Sequence, residues 1–183
     1  MHQPLRFDTG HIEYHESMSS PHGFAQLVQP PPPLSDNQFR LEPLGPIHNE
    51  RDHVAWMTSI DHIHGTPGFA AGDWKGDRWP YEMSLDDNLV DLVRHFDEFQ
   101  TGAAFAYSVL DPNDQVIGCV YIEPDPSGHS ESMCRSWVRV SHAALDEVLH
   151  QAIVGWLAST HWPLSTTRFP GRPSTVPEGT TSA

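Results

Sequence analysis

The hydrophobic pattern in the middle of the chain first predicts a strand followed by a helix. Residues 39–44 (FRLEPL) alternate apolar and polar side chains, which is typical of a half-buried strand, and Gly45 and Pro46 end it. A helix is expected from about Asn49, with Asn49 as its N-cap and acidic residues in its first turn. Its apolar stripe comprises Val54, Trp56, Met57, Ile60 and Ile63.

A second amphipathic helix is predicted over residues 85–99, after an irregular stretch from 65 to 83. Ser84 is the expected N-cap, and Asp86 and Asp87 suit the first turn. One face of this helix is apolar, and we expect that face to pack on the core. Its members are Leu85, Leu89, Leu92, Val93, Phe96 and Phe99.

The next segment predicts a hairpin, a further strand and a final helix. Residues 104–110 and 115–122 form two strands joined by Asp-Pro-Asn-Asp at 111–114, a sequence suited to a type I turn. A strand over 132–140 and a helix over about 143–159 follow, and residues 166–169 are a short closing strand. The helix has the clearest apolar stripe: Leu145, Val148, Leu149, Ala152, Ile153, Trp156 and Leu157.

The two ends of the chain differ in composition from the middle. Residues 1–37 have few periodic apolar positions and contain four consecutive prolines at 30–33, which cannot enter the interior of a helix or sheet. Residues 173–183 are rich in Pro, Ser, Thr and Gly. We therefore expect one domain over 38–172, a disordered or loosely docked extension before it, and a disordered tail after it.

Charge and cysteine content narrow the function classes. The net charge is −14, from 24 acidic and 10 basic residues among 183, which argues against nucleic acid and anionic membranes as partners and favours amines. No apolar run approaches the roughly 18 residues that span a bilayer, and the N-terminus lacks a signal-peptide pattern, so we expect a cytoplasmic protein. Cys119 and Cys134 lie in apolar runs and are expected to be buried thiols, although neighbouring strands would allow a redox pair.

Several stretches resemble a group of actinobacterial proteins identified as GNAT-type N-acetyltransferases. They are FRLEPLGPIHNERDHVAW, SIDHIHGTPGF, VLDP, VIGCVYIEP, SWVRV and RFPGR, between about Phe39 and Arg172. The resemblance implies an α/β (α+β) fold with a mixed, mostly antiparallel central sheet flanked by helices, here C-terminally truncated. It also implies acyl-CoA-dependent N-acylation, with acetyl-CoA as cofactor and a small amine or a protein amino group as acceptor. The oligomeric state is left open between monomer and homodimer.

The resemblance also implies where the cofactor would bind. The turn between the fourth strand and the following helix would hold the CoA pyrophosphate, at Val138, Arg139, Val140, Ser141 and His142. Family members usually mark this turn with glycines, whereas this chain has no glycine between Gly128 and Gly155, and Asp146 lies in the first turn of the helix. A catalytically inactive GNAT-like binding or regulatory module is therefore the alternative function.

Candidate catalytic and acceptor-binding residues follow from the chemistry of amine acylation. Deprotonation of an ammonium group needs a base, and Glu123 and Glu131, at neighbouring strand ends, are the candidates; the alternative is that both are solvated loop acids. An acceptor pocket is predicted from Phe69, Trp74, Trp79 and Tyr81, interleaved with acids; the alternative is that these rings cover a sheet edge or contact a dimer partner. The paired histidines lack the spacing of a metal site, so no metal is expected.

Overall fold

A five-stranded mixed sheet forms the centre of the molecule in the computed structural model, which describes residues 24, 29–30, 32–70, 79–159, 162 and 164–174. The strands lie in the order in which they occur along the chain, and the first four are antiparallel to their neighbours. β4 and β5 are parallel. The strands are β1 (Arg40–Pro43), β2 (Phe105–Leu110), β3 (Val116–Pro124), β4 (Ser132–Val138) and β5 (Thr167–Arg168).

Helices cover both faces of this sheet and divide the core into two clusters. The helices are α1 (Asn49–Met57), α2 (Ile60–His64), α3 (Leu85–Thr101) and α4 (Asp146–Ser159), with 3₁₀ turns at Pro46–His48 and Val140–Leu145. One buried cluster packs α1 and α3 against the sheet, and the other packs α4 against the opposite face. The predicted fold class and order of elements are confirmed. No helix in the described part of the chain is long and apolar enough to span a membrane.

The hairpin forms as predicted, with its turn held by an aspartate side chain. One carboxylate oxygen of Asp111 accepts hydrogen bonds from the backbone N–H groups of Asn113 and Gln115, at 2.9 and 2.8 Å. Asp114 has a left-handed φ of 62°, and the register between β2 and β3 shifts next to the turn, between Val109 and Leu110. β3 extends beyond its predicted end: Glu123 pairs with Met133 inside the sheet instead of opening the loop.

The first helical segment differs from its prediction in two respects. Asn49 does not cap α1 through its side chain, because a 3₁₀ turn precedes the helix and the Asn49 amide instead donates to the Leu85 carbonyl at 3.2 Å. The helix also stops at Met57, where Thr58 and Ser59 bond back to carbonyls of the preceding turn, and α2 starts a new direction. As a result Val54, predicted in the apolar stripe, is exposed.

α3 is capped by Ser84 as predicted, since the Asp87 N–H donates to its hydroxyl at 3.1 Å, but the helix is rotated from its expected orientation. Its fully buried positions are Asn88, Leu92 and His95. Most of the predicted core stripe is exposed at about two-fifths of its surface instead: Leu85 38%, Leu89 37%, Val93 43% and Phe96 39%. Asn88 and His95 therefore pack on the core, where the apolar pattern predicted leucine, valine and phenylalanine side chains.

α4 packs largely as predicted, although it begins at Asp146 after a 3₁₀ turn. Leu149, Ile153, Trp156 and Leu157 are buried, whereas Val148 is 39% exposed.

The Trp156 indole N–H donates to the carbonyl of Pro32 at 2.7 Å, so part of the predicted N-terminal extension contacts the core. Phe24 likewise stacks on Phe105, with ring centroids 5.8 Å apart. Most of residues 1–31 and all of 175–183 lie outside the described residues, so the domain bounds stay predictions.

Two glycines provide a matched test of strand packing. A Cβ atom added at Gly118, near the start of β3, would lie 2.2 Å from the backbone oxygen of Trp137 on β4, whereas one added at Gly155 in α4 meets nothing within 4 Å. We expect Gly118→Ala to lower the free energy of unfolding by about 3 kcal/mol or more, because backbone must move. Gly155→Ala should raise it by up to about 1 kcal/mol. Urea unfolding followed by circular dichroism measures both, and a tolerated Gly118→Ala would contradict the strand register.

Candidate functional site

The sheet face beneath α1 and α3 buries a group of polar side chains. Asp52, Asn88, His95 and Arg135 are all at least nine-tenths buried. They come from α1, α3 and β4, which are distant in sequence and meet above β3. Burying polar and charged groups is costly unless each has a partner, so such a group marks either a structural network or a site.

Asn88 lies at the centre of the first part of this group. Its side-chain oxygen accepts a hydrogen bond from the Trp56 indole N–H at 3.0 Å. Its amide nitrogen donates to Asn49 Oδ1 at 2.9 Å and to Asp52 Oδ2 at 3.2 Å. Burial raises the pKa of Asp52 to about 6, and the hydrogen bond from Asn88 only partly offsets this effect. Asp52 is therefore a buried carboxyl that titrates near neutral pH.

His95 forms the second part, about two turns further along α3 than Asn88. Its ring nitrogens lie 3.5 Å from Asp91 Oδ2 and 3.4 Å from Glu98 Oε2, and its ring is 5.5 Å from that of Tyr121. Burial acts against protonation, but the contacts with Asp91 and Glu98 outweigh it, so the pKa of His95 is raised. Burial also raises the pKa of the Tyr121 hydroxyl, which stays protonated at neutral pH.

An aromatic cluster lies beside these polar groups, with Trp79 at its centre. Its ring centroid is 5.8 Å from Phe69, 6.2 Å from Trp56 and Tyr121, and 6.1 Å from Trp137. Two of the predicted acceptor residues, Phe69 and Trp79, are thus in contact. Tyr81 is half exposed, and no ring contact joins it to this cluster among the described residues. Trp74 lies outside the described residues.

Arg135 connects the aromatic cluster to the first predicted base. Its guanidinium carbon is 5.3 Å from the centre of the Phe69 ring and 6.0 Å from that of Tyr121, and its Nη2 donates to Glu123 Oε2 at 2.5 Å. The turn at Gly68, with φ of 89°, passes over its aliphatic stem, where an added Cβ would lie 3.2 Å from Arg135 Cγ. The aromatic face predicted to receive a cationic amine therefore already carries a guanidinium of the protein.

Glu131, the second predicted base, joins the start of β4 to the segment before β5. One of its carboxylate oxygens accepts hydrogen bonds from the Ser165 N–H and hydroxyl and from the Thr166 N–H, at 2.6, 2.8 and 3.2 Å. The bonds from Ser165 lower the pKa of Glu131. Glu123 and Glu131 thus lie in different surroundings: Glu123 projects beside Arg135, whereas Glu131 holds a loop.

The predicted cofactor turn begins as β4 ends. Val138 is buried, and the Arg139 N–H donates to the Ile117 carbonyl at 2.7 Å. The Val140 N–H donates to the Ser59 hydroxyl at 3.1 Å, so this turn is tied to the break between α1 and α2. The Ser141 hydroxyl is 2.9 Å from Nδ1 of His142, and both side chains lie at the surface or near it.

Cationic groups flank this turn. Arg139 Nε is buried and has no hydrogen-bond partner among the described residues, while its Nη2 lies 3.4 Å from the Thr58 hydroxyl. Asp146, at the start of α4, accepts hydrogen bonds from Arg172 to both carboxylate oxygens at 2.8 Å. Arg172 thus offsets the acidic charge that would otherwise oppose an anion at this helix N-terminus.

The two cysteines lie on opposite faces of the sheet. Cys119 and Cys134 are free and buried, as predicted, and burial raises the pKa of both thiols. Within the described ranges, no group of three or more His, Cys, Asp or Glu side chains is placed to hold a metal ion.

The arrangement of the sheet and helices is shared with solved acetyltransferases. A ribosomal-protein-S5-alanine acetyltransferase from Vibrio fischeri is similar over 69% of this chain and 67% of its own, with a TM-score of 0.52 and 13% sequence identity. RimL, a ribosomal L7/L12 alpha-N-protein acetyltransferase solved in complex with coenzyme A, is similar over 69% and 68%, also with a TM-score of 0.52 and 13% identity. The chain has the GNAT fold. No family model matches the sequence, and no curated protein matches it significantly.

These polar groups share one position, on the sheet face beneath α1 and α3. Three residues of this region, Phe69, Trp79 and Glu123, were predicted from the sequence. The four buried polar residues were not: Asp52, Asn88, His95 and Arg135. One sequence signal was present for two of them: Asn88 and His95 share a helix face with Leu92, at spacings of four and three residues. Arg135 likewise interrupts an otherwise uncharged strand, SMCRSWV.

The raised pKa of Asp52 predicts a pH-dependent stability. The folded state holds the proton up to about pH 6, whereas the unfolded chain releases it near pH 4, so ionisation of Asp52 costs stability as pH rises between these values. Asp52→Asn keeps the hydrogen-bond acceptor and removes the charge. We expect it to be more stable than the wild type by roughly 3 kcal/mol above pH 7, with the difference fading below about pH 4.

Thermal and urea unfolding across pH 4 to 8 measure this difference. Asp61→Asn, which removes an exposed carboxyl on α2, is the control and should leave the profile unchanged. If the free energies of unfolding of the wild type and of Asp52→Asn changed in parallel with pH, Asp52 would not be desolvated in the folded state.

Proposed function

We propose that the chain is an acyl-CoA-dependent N-acyltransferase, most simply an N-acetyltransferase, acting on an amine. The observation that carries this proposal is the divergence of β4 from β5. The two parallel strands pair only at Ser132 with Thr167 and at Met133 with Arg168. From Cys134 to Val138, β4 has no strand partner on that edge among the described residues. In the GNAT fold such a gap offers backbone groups to the pantetheine arm of an acyl-CoA.

The residues of the β4–α4 turn suit a pyrophosphate through their side chains. Arg139 has a buried guanidinium N–H that lacks a partner, and Ser141 and His142 add a hydroxyl and an imidazole. Arg172 neutralises Asp146 at the start of α4. We infer that these groups replace the glycine-turn amides of other GNAT proteins, because the Val140 N–H already donates to Ser59. A bound acyl-CoA would supply the thioester that the amine attacks.

Glu123 is the preferred base of the two candidates. It lies on the face that carries the aromatic cluster, and its carboxylate is partly exposed beside Arg135. Glu131 is engaged by three hydrogen bonds, and its lowered pKa makes it a weaker proton acceptor. Trp79 is the member of the aromatic cluster that would contact the acceptor, because Phe69 is buried beneath Arg135. Trp74 and Tyr81 stay further candidates. The acceptor is a small amine or a protein amino group.

A GNAT-like binding or regulatory module without turnover is the second candidate. It is favoured by the glycine-free turn and by the bond from Val140 N–H to the Ser59 hydroxyl, which occupies a group that a pyrophosphate would use. In that case the aromatic cluster would serve as a structural core for α1, α3 and residues 65–70 and 79–83 rather than as an acceptor site.

Calorimetric titration with acetyl-CoA and with free CoA tests the proposal. We expect micromolar binding of both ligands, and a loss of about tenfold or more in Arg139→Ala, because a cation beside the pyrophosphate is removed. Arg40→Ala is the matched control: Arg40 lies on β1, at the opposite edge of the sheet, and its removal should leave both affinities unchanged.

Turnover provides the second measurement. Thiol release from acetyl-CoA in the presence of a panel of amines should fall by about 100-fold in Glu123→Gln, while acetyl-CoA binding stays the same. Failure of the wild type to bind either ligand at millimolar concentration would exclude the acyltransferase and leave the binding module.

A further inference from the structure

The outer side of α3 exposes a continuous row of large apolar side chains. Four of them lie on one side of the helix at spacings of four, four and three residues, and Ile47, in the 3₁₀ turn that contacts α3, is 80% exposed. We call this surface the α3 apolar face: Ile47, Leu85, Leu89, Val90, Val93 and Phe96. Val90 is 71% exposed, and the other four helical members are exposed at about two-fifths of their surface.

This face is exposed because polar contacts set the rotation of the helix. Asn88 is held by Trp56, Asn49 and Asp52, and His95 lies against Tyr121, so these two residues point to the sheet. The apolar row is turned away from these buried positions by about 90°, since neighbouring positions on a helix differ by about 100°. This apolar surface does not pack on the core. It lies along α3, a helix of 17 residues that is about 25 Å long. Contiguous apolar surface of this kind is typical of protein–protein contacts.

The charges beside this face have one sign. Asp86 and Asp97 project next to Val90 and Val93 along the outer edge of the row. Arg94, the single basic side chain of α3 other than His95, lies four residues after Val90 and pairs with Asp91 and Glu98. The row is therefore bordered by Asp86 and Asp97, and the one arginine of the helix at this edge is already paired with two other carboxylates, Asp91 and Glu98.

These charges disfavour a second copy of the chain on this face. In an antiparallel pair of α3 helices, Asp86 of each would approach Asp97 of the other, and in a parallel pair each acid would approach its own copy. The last turn of α3 contains no basic residue to compensate, and the whole chain carries a net charge of −14. Like charges across an interface oppose association. The same acids disfavour an anionic membrane surface.

We propose that the α3 apolar face is a docking surface for a basic amphipathic helix of another protein. The partner's apolar side chains would pack along the row at helical spacing, and its lysines or arginines would reach Asp86 and Asp97. This proposal does not depend on the acyltransferase activity, because the face lies outside the aromatic cluster and the β4–α4 turn.

A pair of synthetic helices tests the proposal. The probe is a leucine/lysine amphipathic peptide of about 18 residues, matching the length of α3, and its control is a leucine/glutamate peptide with the same apolar positions. Fluorescence anisotropy at physiological salt should show the lysine peptide binding at least about tenfold more tightly than the glutamate peptide. Hydrogen exchange of the complex should show new protection within residues 85–97.

Val93→Asp separates an apolar docking surface from simple charge attraction. The substitution adds a negative charge, which would strengthen a purely electrostatic contact. If the peptide packs on the row, the same substitution should weaken binding of the lysine peptide by about tenfold or more. Val148→Asp is the control: Val148 is 39% exposed on α4 against 43% for Val93, and its substitution should leave binding unchanged.

Three results would overturn the proposal. They are equal binding of the two peptides, an equal effect of Val93→Asp and Val148→Asp, and a dimer in light scattering that Val93→Asp dissociates. The last would make this face a contact between copies of the chain. Circular dichroism melting of Val93→Asp and Val148→Asp checks that a change in binding or in oligomeric state does not reflect loss of folding.

Discussion

The side chain of Asn88 fixes how α3 lies on the sheet, and much of the rest of the molecule depends on it. It accepts from Trp56 and donates to Asn49 and Asp52, so it joins α3 to α1 through three polar contacts in a buried position. Leaving any of these groups unpaired in the interior would cost about 1–3 kcal/mol. The helix therefore gives up burial of part of its apolar row to keep this network intact.

That orientation has consequences on both sides of the helix. On the inner side it places His95 against Tyr121 and brings Asp91 close to the buried face, so the site contains more ionisable groups than the sheet alone provides. On the outer side it leaves Leu89, Val93 and Phe96 partly in solvent. The same set of hydrogen bonds thus accounts for a polar interior site and for an apolar exterior surface.

The diverging strands place the second set of functional groups. β5 contributes only two paired residues, and after them the chain turns through Gly171, where an added Cβ would approach Pro67 at 3.1 Å. This contact brings the segment that follows β5 against the segment that follows α2. Arg135 and Arg172, one on β4 and one past β5, then lie on either side of the gap, with Glu123 and Asp146 as their respective partners.

The sequence by itself determined the elements and their order, because helical and strand periodicities, Ser84 as a cap and the Asp-Pro-Asn-Asp turn are local signals. It also placed the buried thiols and the apolar stripe of α4, whose members pack on the sheet with few polar competitors. Only the tertiary structure decided which face of α3 is buried, that Asn49 bonds to another helix instead of capping its own, and that Arg135 meets Phe69 and Glu123. These outcomes depend on hydrogen bonds between residues 12 to 39 positions apart and on a cation–π contact between residues 66 positions apart. A local pattern of apolar and polar residues does not specify which distant partner satisfies a buried polar group.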